Sequence, residues 1–389
     1  MSAVPDVAVP VSRALSDSSD VTKPVRVAFV LQGLHRVTRG AEVAFESVAN
    51  ELAAIPGFDV TLIGSGQSRP GQRYRYIHSP CTPREKFERW PKFPPFRSEY
   101  IWEEATFVRR LGRVYDPGSY DATVTCSYPF VNWLLRAKKR RGGGRPVHVF
   151  VTENGDWPVQ AGNREYRWFG CDGLICINPV IHERNKDRYK SWLIPNAVDL
   201  SSYVGAVPSR AEFEMPAAGK VVVIVSALIG SKRVLEGVRA VAAMEDVHLM
   251  VVGDGPLRDQ VDAEGKQLMG SRFRRARIPF DRMPALYRSA DALLHMSKDE
   301  PFGNIYVEAL AAGLPVVTHD WTSTRWLFER HAELVDTDNP EAVRAGIRKA
   351  IEENSAAAAA GRIELVKRRY TWTAVAEGYA QCLRTLLQT

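Results

Sequence analysis

The sequence predicts an α/β fold made of two Rossmann-like halves in tandem, facing each other across a cleft. Three observations carry that expectation. Short β-branched apolar runs alternate with stretches of helical spacing, the pattern of parallel strands and their covering helices. The pattern restarts after Ile-Pro-Asn-Ala-Val-Asp at residues 194–199. A chain of 389 residues is also long enough to build two cores.

Residues 1–24 mix Ser, Asp, Val, Ala and Pro without a charged-then-apolar leader pattern. They are expected to be a disordered tail, and secretion is not expected. Residues 25–31 are an apolar run that reads as the first buried strand. A loop leads to Gly40, and residues 41–55 carry helical spacing at Val43, Ala44, Val48, Leu52 and Ala53. Residues 58–63 read as the second strand. Residues 69–102, rich in Pro, Arg and aromatics, lack clear periodicity and read as a long, loop-rich segment that can carry function. Strands are expected at 121–126, 147–152 and 173–177, completing a first domain over 25–198. The second domain, 199–370, has expected strands at 220–227, 247–252 and near 276–280, with a helix over 235–244. Residues 371–389 form a terminal helix.

A hydrophobic content of 45% and a charged content of 25% are those of a soluble globular protein. No apolar run approaches the roughly 20 residues that span a bilayer. The five cysteines (Cys81, Cys126, Cys171, Cys176, Cys382) are scattered and lack metal-ligand spacing, so reduced thiols are expected and a zinc site is not. The net charge is +7, with a dense contribution from Arg136 to Arg145. A solvated helix end is the plain reading of that segment. A patch for an anionic membrane is the sharper one, at about 1 kcal/mol per Lys or Arg. Nucleic acid ranks last, because no nucleic-acid module accompanies the patch. The expected location is the cytoplasm; peripheral membrane contact through this segment follows only from the sharper reading.

The densest chemistry lies at residues 300–313, Glu-Pro-Phe-Gly-Asn-Ile-Tyr-Val-Glu-Ala-Leu-Ala-Ala-Gly, followed by Leu-Pro-Val-Val. The apolar run before it reads as a strand, and Gly313 with Pro315 beyond it marks a helix stop. A loop opening a helix in such a unit presents free backbone N–H groups to an anion. Glu300 stands before the helix and Glu308 inside it, so each can hold a different part of one elongated ligand. A phosphate-bearing ligand with hydroxyls, a nucleotide sugar, fits. The competing reading is a capped amphipathic helix with two solvated carboxylates.

Glu300 and Glu308 with seven residues between, and Pro-Phe-Gly after the first, resemble the signature of the retaining glycosyltransferases of family 4, which have the GT-B fold. The resemblance implies that Glu300 contacts the donor sugar and Glu308 the ribose, with Phe302, Gly303, Asn304 and Ile305 offering amides to the sugar and diphosphate. Ile194-Pro-Asn-Ala-Val-Asp and the strand and loop ending at Lys232 and Arg233 are similar to the same family. Lys232 then neutralises the leaving diphosphate. Arg233 is placed to help, since Ala227 occupies the position of the family's arginine. Gly40 matches a turn where the backbone approaches the diphosphate. The terminal Tyr-Thr-Trp resembles the point where the last helix crosses back to the first domain. The family's histidine beside the donor sugar has no counterpart, which leaves Glu153, Asn154 or Asp156 for that edge.

The resemblance implies no cofactor beyond the nucleoside-diphosphate sugar as co-substrate, no catalytic metal, and a hydroxyl acceptor whose identity the residues do not name. Two apparent motifs carry less. Gly253-Asp-Gly255 lacks the third glycine of a dinucleotide fingerprint. Asp336-Thr-Asp338 precedes Asn339-Pro340 and reads as helix capping. Two other classes stay open: a nucleotide-sugar epimerase of the same shape, and a non-catalytic sugar-nucleotide binding protein.

Overall fold

The computed structural model describes residues 23–153 and 168–388. Its first half is a sheet of β1 (Val25–Val30), β2 (Phe58–Gly64), β3 (Arg75–His78), β4 (Ala122–Thr125), β5 (Val147–Val151), β6 (Gly173–Cys176) and β7 (Ser191–Leu193). The second half holds β8 (Lys220–Val225), β9 (Val247–Val252), β10 (Phe273–Ala276), β11 (Ala292–His295), β12 (Val316–His319) and β13 (Glu333–Val335). Spatial order is β3-β2-β1-β4-β5-β6-β7 in one sheet and β10-β9-β8-β11-β12-β13 in the other. All pairings are parallel, from Val25 against Phe58 to His319 against Val335. Sheets covered on both faces need continuous apolar strands. Val27 to Val30 and Val221 to Ile224 meet that need, each 0–1% exposed.

In each sheet the strand order reverses between two neighbours, β1 and β4 in the first and β8 and β11 in the second. Loops leaving such neighbours diverge and open a crevice at the strands' carboxyl ends. The loop after β8 carries Lys232, and the loop after β11 carries Glu300.

Helices α1 (Gly40–Leu52), α2 (Glu99–Val114), α3 (Phe130–Ala137), α4 (Pro179–Asn185) and α5 (Leu200–Val204) belong to the first half of the chain. They are followed by α6 (Val234–Ala242), α7 (Arg258–Met269), α8 (Met283–Ser289), α9 (Asn304–Ala311), α10 (Thr322–Phe328), α11 (Pro340–Glu352), α12 (Ala356–Arg369) and α13 (Trp372–Leu387). Helix α13 packs back on α1 of the first half. There Tyr379 stacks on Phe29 at 6.1 Å, and the Thr373 hydroxyl donates to Glu51 at 3.2 Å. The two chain crossings between the halves lie side by side: the Val198 amide donates to the Tyr370 carbonyl at 3.0 Å.

One expectation is corrected. The strand placed near 276–280 ends at Ala276, where β10 stops. The loop-rich segment 69–102 also holds β3, a 3-10 turn at Arg84–Phe87 and the start of α2. Helix α2 buries Glu103 and Glu104 on its inner face, so its apolar spacing is interrupted. Glu104 earns its place by accepting from the Val131 amide at 2.9 Å, in the first turn of α3. Burial pushes its carboxyl up to about 8, although that amide bond works in the opposite direction.

The basic segment from Arg136 to Arg145 is mostly turned inward. Arg136 donates to the Trp168 carbonyl at 2.8 Å, Lys138 to Gly112 at 2.6 Å, and Arg140 to Tyr120 at 2.6 Å. Arg145 grips Asp172. Lys139 and Arg141 remain exposed. The five cysteines are free thiols. Among the described residues no helix is long and apolar enough to cross a membrane.

Candidate active site

The end of β11 sets the site's geometry. His295, 2% exposed, closes that strand, and five residues later Glu300 returns its carboxylate to the ring. His295 Nε2 lies 3.1 Å from Glu300 Oε2, and the Lys232 ammonium makes a short ion pair with the same oxygen. A carboxylate only accepts, so Nε2 is the nitrogen that carries a proton toward it. Burial would raise the Glu300 carboxyl, but His295 and Lys232 outweigh it and hold the group below its ordinary value. An anionic Glu300 suits acceptance of hydrogen bonds from sugar hydroxyls.

Gly303 makes the turn into α9. Its φ of +81° lies in the left-handed region, and a Cβ there would stand 2.5 Å from Tyr306 and 2.9 Å from Glu300 Cγ. The Tyr306 amide bonds the Gly303 carbonyl at 2.9 Å, so the amides of Asn304 and Ile305 precede the first internal bond of α9. Such leading amides, at the positive end of the helix dipole, suit a phosphate. Asn178, at the N-cap of α4, makes a short bond to the Pro301 carbonyl and ties this loop to the first half.

A cavity of about 510 Å³ lies between the halves. Glu300, Phe302, Gly303 and Asn304 line one side, and Gly40 and Glu153 line the other. Gly40 opens α1, and a Cβ on it would come within 3.3 Å of the Asn304 side-chain nitrogen. That is where the two halves approach each other across the site.

Glu153, just past β5, accepts from Asn196 at 2.9 Å through Oε2, while Oε1 is buried with no hydrogen-bond partner among the described residues. Burial pushes this carboxyl up to about 7; Asn196 opposes the shift and the neighbouring Glu42 adds to it. Asn154 and Asp156 lie outside the described residues.

Other expected residues stand apart from the cavity wall. Glu308, in the second turn of α9, accepts from the Tyr287 hydroxyl at 2.8 Å, and burial raises its carboxyl. Arg233 has φ +55°, and its guanidinium turns to the Thr337 hydroxyl at 3.0 Å and to Asp338 at 2.9 Å, not to Glu300. Asp338 is further engaged by Lys298, and Asn339 caps α11.

Sequence reasoning passed over His295, Tyr287, Asn178 and Asn196. Of these, His295 had a signal, a polar residue ending an apolar strand immediately before the motif. Tyr287 had none, since it reaches Glu308 from another helix.

Solved structures share this architecture. Sucrose-phosphate synthase from Thermosynechococcus elongatus superposes with a TM-score of 0.72 at 18% identity, over 94% of this chain and 99% of that one. HepE from Anabaena, in complex with UDP and glucose, gives 0.69 at 16% identity over 93% and 100%. The lipopolysaccharide core biosynthesis glycosyltransferase LpsD of Rhizobium meliloti is 27% identical over 262 residues, 64% of this chain and 72% of LpsD. The family description "Glycosyltransferase Family 4" matches residues 38–202, and "Glycosyl transferases group 1" matches residues 208–364. With both halves matched in tandem on this two-sheet frame, the chain belongs to the GT-B glycosyltransferases of the family 4 type.

Proposed function

We propose that this glycosyltransferase moves a sugar from a nucleoside diphosphate to an acceptor hydroxyl with retention of configuration and without a metal ion. The observation that supports this most is the cluster of Lys232, His295 and Glu300 at the amino end of α9. A diphosphate over the leading amides of α9 would meet Lys232. The donor sugar would reach Glu300, and the ribose would reach Glu308. As the glycosidic bond breaks, charge grows on the departing diphosphate, and preorganised donors stabilise that charge. The departing oxygen, on the same face as the incoming hydroxyl, would accept its proton.

HepE was solved with UDP and glucose, which makes UDP-glucose a first donor to try. The lipopolysaccharide role of LpsD suggests a glycan or glycolipid acceptor. Lys139 and Arg141 are the exposed cations that an anionic membrane would meet in the Arg136 to Arg145 segment.

The test has two parts. A nucleoside diphosphate at 100 times its dissociation constant should stabilise the protein by about 2.7 kcal/mol. Release of the diphosphate from its sugar should continue in excess EDTA, and the product's anomeric configuration should match the donor's by NMR. Complete loss of turnover in EDTA, restored by Mn²⁺ or Mg²⁺, would refute the metal-free reading. An inverted product would refute retention.

A further inference from the structure

Three guanidiniums, Arg36, Arg39 and Arg84, gather in the first half beside the cleft, and Arg39 keeps a nitrogen with no partner among the described residues. Glu103, whose side chain has no exposure, takes a short bond from Arg36 and bonds from Arg84 at 3.0 and 3.2 Å. One carboxylate therefore serves two cations. Among the described residues Arg39 pairs with Glu85, 3.8 Å away and well exposed, and lies within electrostatic reach of Glu42. Its NH1 nitrogen is buried, with no hydrogen-bond partner among the described residues. Buried donors are paired in nearly all native structures, and a charged one is the costliest to leave alone.

Arg39 and Arg84 both line the cavity, beside Ser98 and Tyr100. Arg84 lies over the Tyr100 ring at 5.2 Å, which fixes the plane of its fork. The donor-side groups, Glu300 to Asn304, form the opposite side. Arg39 reaches toward Glu85 on the 3-10 turn, whereas Lys232 is already engaged by Glu300.

We infer that Arg39 and Arg84, with Ser98 and Tyr100, form an acceptor subsite for a sugar bearing an anionic group, a phosphate or a carboxylate. Guanidinium forks match such groups bidentately. Glu42, Glu153 and Glu300 share the cavity: burial raises Glu42 and Glu153, Arg39 and Arg84 draw Glu42 back down, and Lys232 pairs with Glu300. A neutral sugar would leave Arg39 unanswered, and sites with buried polar groups discriminate strongly against ligands that lack the matching group. The inference rests on the donor reading above, which places the diphosphate on the α9 side.

The full chain is loaded with saturating UDP, so that the diphosphate site is filled. Glucose 6-phosphate, glucuronate and glucose are then titrated by calorimetry. At least one anionic sugar should bind tenfold or more tightly than glucose, and which one does identifies the group. Arg39→Gln should reduce that preference below twofold, and Arg39→Lys should keep part of it. Equal binding of all three sugars, or a preference that survives Arg39→Gln, would overturn the subsite. So would a parallel fall in UDP affinity, which would assign Arg39 to the donor diphosphate. If UDP fails to bind the wild type, the choice of uridine falls and not the subsite, and the same titrations into the free chain still read the cationic wall.

Discussion

Lys232 and Arg233 are adjacent in sequence and opposite in role. The Lys232 ammonium shares Glu300 with His295, where a leaving diphosphate would arrive; Arg233 braces the β8 loop against Thr337 and Asp338. Loss of one preorganised donor costs about 10²–10³ in turnover. Lys232→Ala should lose that much kcat with a smaller loss of donor affinity. Arg233→Ala should lower stability by about 1–3 kcal/mol, through unpaired partners, with kcat within a fewfold of wild type. If steady-state kinetics show the larger kcat loss in Arg233→Ala, the phosphate-facing cation of this loop has been misassigned. Glu153 supplies a second residue-scale test. In the unfolded chain it ionises near 4.5, and in the fold it keeps its proton up to about 7. The native state holds the extra proton between those values, so stability falls as pH rises through the window. At about 1.4 kcal/mol per pH unit, the full penalty above pH 7 is about 3 kcal/mol. Urea unfolding should show Glu153→Gln gaining little over wild type near pH 4.5 and up to about 3 kcal/mol near pH 8. A gain that does not change with pH would sink this account.

At the scale of elements, the turn into α9 holds the site's geometry. Gly303→Ala would force a side chain into positive φ and into Tyr306 and Glu300, a strain of about 1–3 kcal/mol. The displaced Glu300 should weaken binding of UDP-glucose more than binding of UDP; equal affinities for both ligands in wild type and variant would refute that positioning role. This element was legible because glycine, the helix start and both glutamates lie within one short window. Strand β9 was legible to the residue, since an apolar run in a parallel sheet has little else to be. Helix α2 was not, because Glu103 and Glu104 occupy its buried face and only distant partners, Arg36, Arg84 and Val131, justify them there. The Glu308–Tyr287 bond and the Arg39–Arg84 wall were hidden for the same reason. Each joins residues that only the fold brings together.

For the whole molecule, the cleft depends on how the halves are joined. The chain crosses between them near Val198 and again near Tyr370, and a backbone bond pairs the two crossings. Helix α13 follows the second crossing at once, and its inner face completes the first half's core. Val375, Tyr379, Leu383 and Leu386 are at most 6% exposed there. Fully burying such a side chain contributes about 1.5–3 kcal/mol, so four of them rival the 5–15 kcal/mol that stabilise a typical domain. A chain ending at Tyr370 should therefore lose the first half's folding transition while keeping that of the second, whose sheet and strand order do not involve α13. Calorimetry of the truncated chain, with limited proteolysis to identify the surviving half, would show it. A truncated chain that unfolds in the wild-type transition with both halves protected would mean that α13 is an accessory. The first half's core would then be complete without it.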